Sequence, residues 1–494
     1  MTAHGYVAVC QGPSANESPF GRLFRREDPL YDSHAVALLA GSQGPMMPPV
    51  AAAAASKPAL PAGFTFFGQF VDHDLTEFRA VEGMRALPMN PELGVRQVVA
   101  PDPNVTAANG RTAHFDLDSV YGLLGQPEEA LFNSRGLFRL GFARRTVGNT
   151  MAARDIRRAT NFRDGRMIAD PRNDENKLIL QIHTLFMRLH NVTHRAKGGT
   201  HPVGSPVFQQ TCAQVKAAYR RIVMMDYLPR LVRLSEIVPV IRRLRAGTAF
   251  FSDMVRAVAA AGACPPGALP MPVEFAQACF RLGHSQLRDG YEMKPGIGRG
   301  LFRAGGGDLR GREAIDGETE VDWALFFGPA AQSGEPLDAT LPASVFRLPP
   351  PAVDAPPISL AERNIRRGAD FGVASGQTAA VALKARYGHI AAPMTPDELG
   401  IGAEVLGVDP SLATQTPLWF YILREAAVRN PDGPQLGEVG GLIVAETILG
   451  ALMASGVDIR AAADAAPDDA PPAATPTIET VDTMAGLLRM LGEV

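Results

Sequence analysis

The chain predicts a mainly α-helical fold with long irregular loops and little β-structure. From Asn173 to Ala196, the apolar residues Leu178, Ile182, Leu185, Phe186 and Leu189 recur at three- and four-residue spacing, the period of one helix face. Convincing period-two alternation, the mark of a half-buried strand, is scarce. Stretches rich in glycine and proline separate the periodic runs and read as loops.

The elements follow in order. Residues 45–63, PMMPPVAAAAASKPALPAG, form a Pro/Ala arm leading into FGQFVDHDLTEF, residues 67–78. Residues 79–122 read as irregular. The helix of 173–196 takes Asn173 as its N-cap. A second runs from Pro206 through VKAAYRRIVMMDYLPRLV, and a third is PVEFAQACFRLGHSQLR, residues 272–288. Loops cover 294–319 and 348–357. Helical patterns return at 359–367, 376–387, 417–429 and 438–455. DAAPDDAPPAATPT, residues 464–477, reads as a linker or a disordered piece. No internal repeat is seen.

The 494 residues are 46% hydrophobic and 20% charged, an ordinary globular composition with length for a large core. A net charge of -3 without a basic tract argues against nucleic acid and anionic membranes as partners. Four cysteines, at positions 10, 212, 264 and 279, show no paired spacing and read as free thiols. The N-terminus lacks a signal-peptide pattern, and GGLIVAETILGALMASG, the most apolar run, carries Glu446. A soluble protein is expected, cytoplasmic by default, with non-classical secretion left open.

Five polar clusters stand out. FGQFVDHDLTEF holds Gln69, Asp72, His73 and Asp74; Gln69 and His73, four apart, share a helix face. In RTAHFDLDSVYG, Thr112, His114, Asp116 and Asp118 alternate, which points their oxygens to one side of an extended segment and suits a hard cation such as Ca²⁺. On spacing alone an Asp-rich turn explains that run at least as well. ADPRNDENKLILQIHTLFMRLHNVTH brings Arg172 and Glu175, then His183, His190 and His194. The last two have the i, i+4 spacing of a metal pair but lack the zincin glutamate, and all three read as structural. His284 in FRLGHSQLR follows Gly283, whose small size leaves room for a flat group. In NIRRGADFG, Asn364 and Arg367 share one face.

Taken together and in this order, GQFVDHDLT, RTAHFDLDSVYG, DPRNDEN with HTLFMRLHN, FRLGH and NIRRGADFG resemble the motifs of the animal-type haem peroxidases, the peroxidase–cyclooxygenase superfamily. The likeness is closest to bacterial members and spans roughly residues 15–455. It implies an N-terminal extension over 1–14, a haem peroxidase domain over 15–460, and a Pro/Ala-rich linker and tail over 461–494.

The resemblance implies roles. His73 is the distal base that moves the proton of hydrogen peroxide. Gln69 holds distal water or an anionic substrate, and Arg172 stabilises charge on the departing oxygen. Asp74, Thr112, His114 (through its carbonyl), Asp116 and Asp118 hold calcium, which pins the base's helix to a loop. His284 is the axial iron ligand, Asn364 accepts a hydrogen bond from its second ring nitrogen, and Arg367 meets a propionate of haem b. Asp72 and Glu175 match carboxylates that ester-link the haem in mammalian members. Asn176 stands where one such member has the methionine of a third link, which excludes that bond. Asp118, Ala369 and Phe371 depart from the mammalian Ser, Arg and His and weaken any transfer of substrate detail.

The implied activity is reduction of hydrogen peroxide, with oxidation of small organic donors or halides through a ferryl intermediate. One rival is a fatty-acid dioxygenase of the same superfamily, which needs a tyrosine three residues before the proximal histidine; Arg281 stands there. The other is a non-catalytic haem-binding protein.

Overall fold

The computed structural model describes residues 18–42, 44–47, 57–80, 98–99, 107–122, 128–141, 154–158, 165–262, 264, 267–302, 307–348, 359–470 and 472–494. The N-terminal extension, Cys10, most of the 348–357 loop and parts of the 45–63 and 79–122 stretches lie outside them.

The described chain is mainly helical, as the periodicity predicts. The longer helices are α1 (Ser33–Ala40), α2 (Ala62–Leu75), α3 (Lys177–Ala196), α4 (Pro206–Ile222), α5 (Leu234–Arg245), α6 (Phe250–Ala260), α7 (Leu360–Asp370), α8 (Gly376–Tyr387), α9 (Leu418–Arg429), α10 (Glu438–Ala454) and α11 (Met484–Met490). None is long and apolar enough to cross a membrane. Cys212, Cys264 and Cys279 are free.

α10 is the hub of one half of the core. It is buried along nearly its whole length and packs on α5, α6, α8 and α9. Gly450 makes the closest approach possible, since a Cβ there would lie 2.4 Å from the Phe251 ring. The Glu425 carboxylate accepts from Val439 N and Gly440 N (3.0 and 3.2 Å), a negative charge at the positive end of α10. Glu446 is buried mid-helix with partners on both oxygens, Phe251 N (2.7 Å) and the Tyr387 hydroxyl.

α2 is buried on almost every side and packs on α3 through stacked Phe70 and Phe186, ring centroids 5.0 Å apart. A small sheet ties its C-terminal end down. Strands β1 (Ser18–Gly21), β2 (Phe78–Ala80), β3 (Ala107–Asn109) and β4 (Met271–Pro272) run in the order β2-β3-β1-β4. Ser18 and Phe78 both pair with Asn109, and Phe20 pairs in parallel with Met271. The buried Asn109 amide donates to Ser18 Oγ (3.0 Å) and Leu75 O (2.9 Å), and its oxygen accepts from Glu77 N (2.7 Å). The sheet thus joins the end of α2, the acidic loop after β3 and the His284 segment after β4.

Several local expectations are corrected. α3 starts three residues later than expected: Asn176, not Asn173, is the N-cap, accepting from Ile179 N at 2.9 Å. Asn173 lies in a preceding 3₁₀ turn, Pro171–Asp174, capped by Asp170. The helix expected over 272–288 breaks at Ala278 (φ -139°, ψ -77°) into Val273–Gln277 and a 3₁₀ stretch, Cys279–His284. The second helix passes through a π turn, Val223–Tyr227. The loop read over 294–319 begins with a hairpin, β5 (Gly290–Lys294) and β6 (Ile297–Gly300).

The stretch read as a linker lies against the body. Arg230 pairs with Asp469 (2.7 Å), and α11 begins with Met484 N donating to buried Asp226 at 2.7 Å. Val481, Met484, Leu487 and Leu488 are fully buried, and that apolar face holds the tail in place.

Candidate active site

α2 presents His73 from its last turn. The ring is buried, with Nδ1 2.8 Å from Asn173 Oδ1 and Nε2 3.8 Å from Glu175 Oε1. Burial, aided by the Arg172 charge, lowers its pKa to about 3, so the ring is neutral at physiological pH. Glu175 accepts from Gln69 Nε2, and Asn176 Nδ2 donates to Gln69 Oε1 at 3.0 Å. Burial raises Glu175 to about 7. Asp72 accepts from Thr76 Oγ1 (2.9 Å), and burial raises its pKa as well.

Arg172 reaches the same place, but most of its fork is committed. Nε and Nη2 donate to Asp170 (3.1 and 2.7 Å), Nη2 also to His73 O (2.9 Å) and Nη1 to Thr76 O (2.8 Å). With five N–H groups on a guanidinium, one Nη1 hydrogen is left. Burial alone would raise the Asp170 carboxyl, but Arg172 and Arg111 outweigh it and hold it low. Asp170 and Arg111 were missed in the sequence. Asp170 had a signal, an acidic residue before a proline, which is how a 3₁₀ or α turn is capped.

The acidic loop is a turn, not an extended segment. Ala113 (φ 57°) and Leu117 (φ 55°) are left-handed, and Asp118 opens a single helical turn. The result still gathers carboxylates: oxygens of Asp74, Asp116 and Asp118 lie within 4.8 Å of one another. Thr112 Oγ1 joins through Asp116 (3.1 Å). The His114 carbonyl accepts from Asp116 N at 3.0 Å, while its ring turns to Ser455 Oγ (3.1 Å) and Gly267 O (3.2 Å). Burial, then repulsion from Asp116, raises Asp74 to about 7. Three acidic groups, flanked by Arg111 (3.3 Å from Asp118) and by Arg220, suit a divalent, oxygen-loving ion.

His284 ends the 3₁₀ stretch that packs against α2. Its Nδ1 lies 2.8 Å from the amide Nδ2 of buried Asn364 on α7. The pairing is the expected one, but the amide orientation is opposite. Here the amide donates and the imidazole carries its proton on Nε2; ligation through Nε2 requires the amide turned, so that Oδ1 accepts from Nδ1–H. Around it stand two cations. Arg281 Nε is buried with no hydrogen-bond partner among the described residues. Arg367 lies over the Phe78 ring (4.9 Å), and burial together with Arg281 lowers its pKa to about 10. Two neighbouring half-buried guanidiniums, which feel Asp72 and Asp370, keep one orphaned donor that an anion would satisfy. A Cβ on Gly283 would meet nothing closer than Thr65 O at 3.9 Å, and one on Gly368 nothing within 4 Å. A dianionic, flat group such as haem fits this set.

The other histidines are engaged. His190 bonds Tyr121 Oη (3.0 Å) and Gly136 O (2.9 Å), and His194 bonds Thr211 Oγ1 (3.2 Å) and the carbonyls of Arg135 and His201, so neither is a free ligand. His183 is the exception to its structural reading. Its Nδ1 lies 3.0 Å from Asn173 Nδ2, behind the His73 contact.

A mainly helical body built around two amide-held histidines, with an acidic cluster beside one and two arginines beside the other, is the architecture of a haem oxidoreductase. Residues 95–375 match the animal haem peroxidase family, more than half of the chain, and the chain belongs to that family. Among curated proteins, none matches the sequence. Among solved structures the chain is similar to peroxidase A from Dictyostelium discoideum, with 15% identity and a TM-score of 0.55 over 99% of this chain and 93% of that one. It is also similar to a fatty acid alpha-dioxygenase from Oryza sativa, with 13% identity and a TM-score of 0.56 over 96% and 81% of the two chains. The Arabidopsis thaliana fatty acid alpha-dioxygenase gives 13% and 0.53 over 98% and 78%. At these identities the likeness is one of fold.

Proposed function

We propose that residues 15–460 form a haem peroxidase that reduces hydrogen peroxide and oxidises small organic donors or halides. The observation that carries this reading is buried, neutral His73, with Nε2 directed away from its Asn173 contact, in a fold that also sets His284 beside Asn364. His284, Arg281 and Arg367 would hold haem between the two histidines, and the bound haem would supply the redox chemistry of O–O cleavage. The chain's own residues handle protons and charge. His73 Nε2 accepts the proton of peroxide and delivers it to the departing oxygen. The one uncommitted hydrogen of Arg172 faces developing negative charge. Gln69 is oriented by Asn176 and Glu175 to hold distal water or an anionic substrate.

Asp74, Asp116 and Asp118, with Thr112 and the His114 carbonyl, hold calcium beside the helix of the base. Asp72 and Glu175 are the carboxyls available for ester links to the haem. Peroxidation is favoured over fatty-acid oxygenation because Arg281 occupies the place of the radical-carrying tyrosine. The test is haem reconstitution followed by peroxide-dependent guaiacol oxidation. A reconstituted protein with no peroxide-dependent oxidation of guaiacol or halide rejects the reading.

A further inference from the structure

We infer that Asn173 is a positioning residue that sets the tautomer of His73, with His183 paired to the other end of the amide. This rests on the reading of His73 as the proton-accepting base. The three side chains form one buried line: His73 Nδ1 to Asn173 Oδ1 at 2.8 Å, then Asn173 Nδ2 to His183 Nδ1 at 3.0 Å. All three are essentially excluded from solvent, at 6%, 0% and 1% exposure. Phe70 lies edge-on to the His183 ring at 6.4 Å, while Glu175 and the Arg172–Asp170 pair stand by His73. A polar group left unpaired here costs about 1–3 kcal/mol, so the bonds must be consistent along the line.

With the amide oxygen toward His73 and its nitrogen toward His183, the protons follow. An amide oxygen only accepts and an amide NH₂ only donates. His73 Nδ1 therefore carries a proton, and its Nε2 holds the free lone pair. His183 Nδ1 lacks a proton and accepts. Turned by half a rotation, the amide would give the opposite state, with His73 protonated on Nε2 and unable to accept a proton from peroxide. The backbone of Asn173 is held in place. Its backbone N–H is bonded to Asp170 O (3.0 Å) in a turn that Arg172 clamps to the end of α2. Sequence reading treated Asn173 as a helix cap and His183 as structural; the relay appears only when the turn folds back on α2.

The tautomer is read in the protein without haem. With ¹⁵N-labelled histidine, long-range ¹H–¹⁵N correlation shows which ring nitrogen of each neutral histidine bears hydrogen, and the His73 signal is the one missing from His73→Gln. The expected result is Nδ1–H for His73 and Nε2–H for His183. Asn173→Asp, which still accepts, keeps Nδ1–H on His73. Asn173→Leu releases it to a mixture or to Nε2–H. Wild-type His73 protonated on Nε2, or a tautomer unchanged in Asn173→Leu, overturns the inference. If Asn173→Leu does not fold, the wild-type and Asn173→Asp spectra still decide it. The peroxidase reading fails separately: haem-loaded His73→Gln reacting with peroxide as fast as wild type rejects the base while leaving the tautomer assignment intact.

Discussion

Arg172 donates from Nη2 to the main-chain carbonyl of His73 at 2.9 Å, and from Nη1 to that of Thr76 at 2.8 Å. These carbonyls lie in the last turn and cap of α2, where no intrahelical donor remains for them, and a cation there also meets the negative end of the helix dipole. Arg172 is therefore first a clamp between the 171–174 turn and the helix of the base. Asp170 orients the clamp, and Arg111 links Asp170 to Asp118 in the acidic cluster.

Replacing the fork by a single ammonium separates these tasks. Arg172→Lys keeps the charge but cannot reach two carbonyls and Asp170 together. The expected cost is about 2–3 kcal/mol, that of losing hydrogen bonds to a charged donor. Urea unfolding of the haem-free protein measures it. Stopped-flow reaction with peroxide should slow by roughly 10–100-fold, less than a removed base costs. Wild-type stability in the variant would show that the clamp does not act.

The helical class and most residues of the candidate site could be read in the sequence because they rest on local signals. Amphipathic spacing marks α3, and a polar cluster in the apolar run of α2 marks His73. What was not legible depends on chain reversal. Asn173 and His183 meet His73 only because a 3₁₀ turn precedes α3, and that turn differs from a helix start by a few degrees of backbone angle. The helix of 272–288 was misread because its apolar period continues through the break at Ala278. α11 was missed because seven residues are too few for periodicity to speak. The Asn364 pairing was anticipated, but the direction of its amide is a matter of tertiary hydrogen bonding that no spacing encodes.

His284→Ala should lose most of the haem or shift its Soret band, because His190 and His194 are committed on both ring nitrogens and offer no substitute. Asn364→Asp should retain haem and lower its reduction potential, since a carboxylate draws the Nδ1 proton more strongly than an amide and enriches the ligand. Potentiometric titration of the two proteins checks the sign. An unshifted potential would mean that Asn364 keeps the orientation seen here, donating rather than accepting.

The acidic cluster predicts one calcium per chain with pH-dependent affinity. Asp74, raised by burial to about 7, is largely protonated below that pH, so binding expels its proton and weakens as pH falls from 8 to 6. The stability of the calcium-free protein carries the opposite sign. The folded state holds the Asp74 proton more tightly than the unfolded one, so this contribution falls as pH rises from about 4 to 7. Calcium offsets that loss by mass action. Asp74→Asn should flatten the pH dependence of the calcium-free melting temperature and abolish the rise on adding calcium. Calorimetric titration at pH 6 and 8 gives the affinities; equal affinity at both would remove Asp74 from the site.

Arg281 makes the last prediction, which separates peroxidation from fatty-acid oxygenation. In lipid dioxygenases of the superfamily the residue three before the proximal histidine is the tyrosine whose radical abstracts hydrogen from the substrate. Here that position is a guanidinium, half-buried near Arg367, with its Nε unsatisfied among the described residues. A guanidinium is not oxidised to a usable radical, and a buried charge is costly along an apolar acyl chain unless an anion answers it. The nearest tyrosine in sequence, Tyr291, is no replacement. It lies on β5, packed edge-on against Phe66 (5.2 Å), with its hydroxyl accepting from Arg288 N at 2.9 Å. The haem-loaded protein should therefore turn over peroxide with guaiacol while consuming no oxygen on linoleate. Arg281→Tyr is not expected to create oxygenation, because it also removes a propionate partner; its measurable effect is weaker haem retention. An oxygen electrode follows both proteins with linoleate, dissolved oxygen and a trace of peroxide. Sustained, enzyme-dependent uptake by the wild type would falsify the assignment and place the radical on another tyrosine.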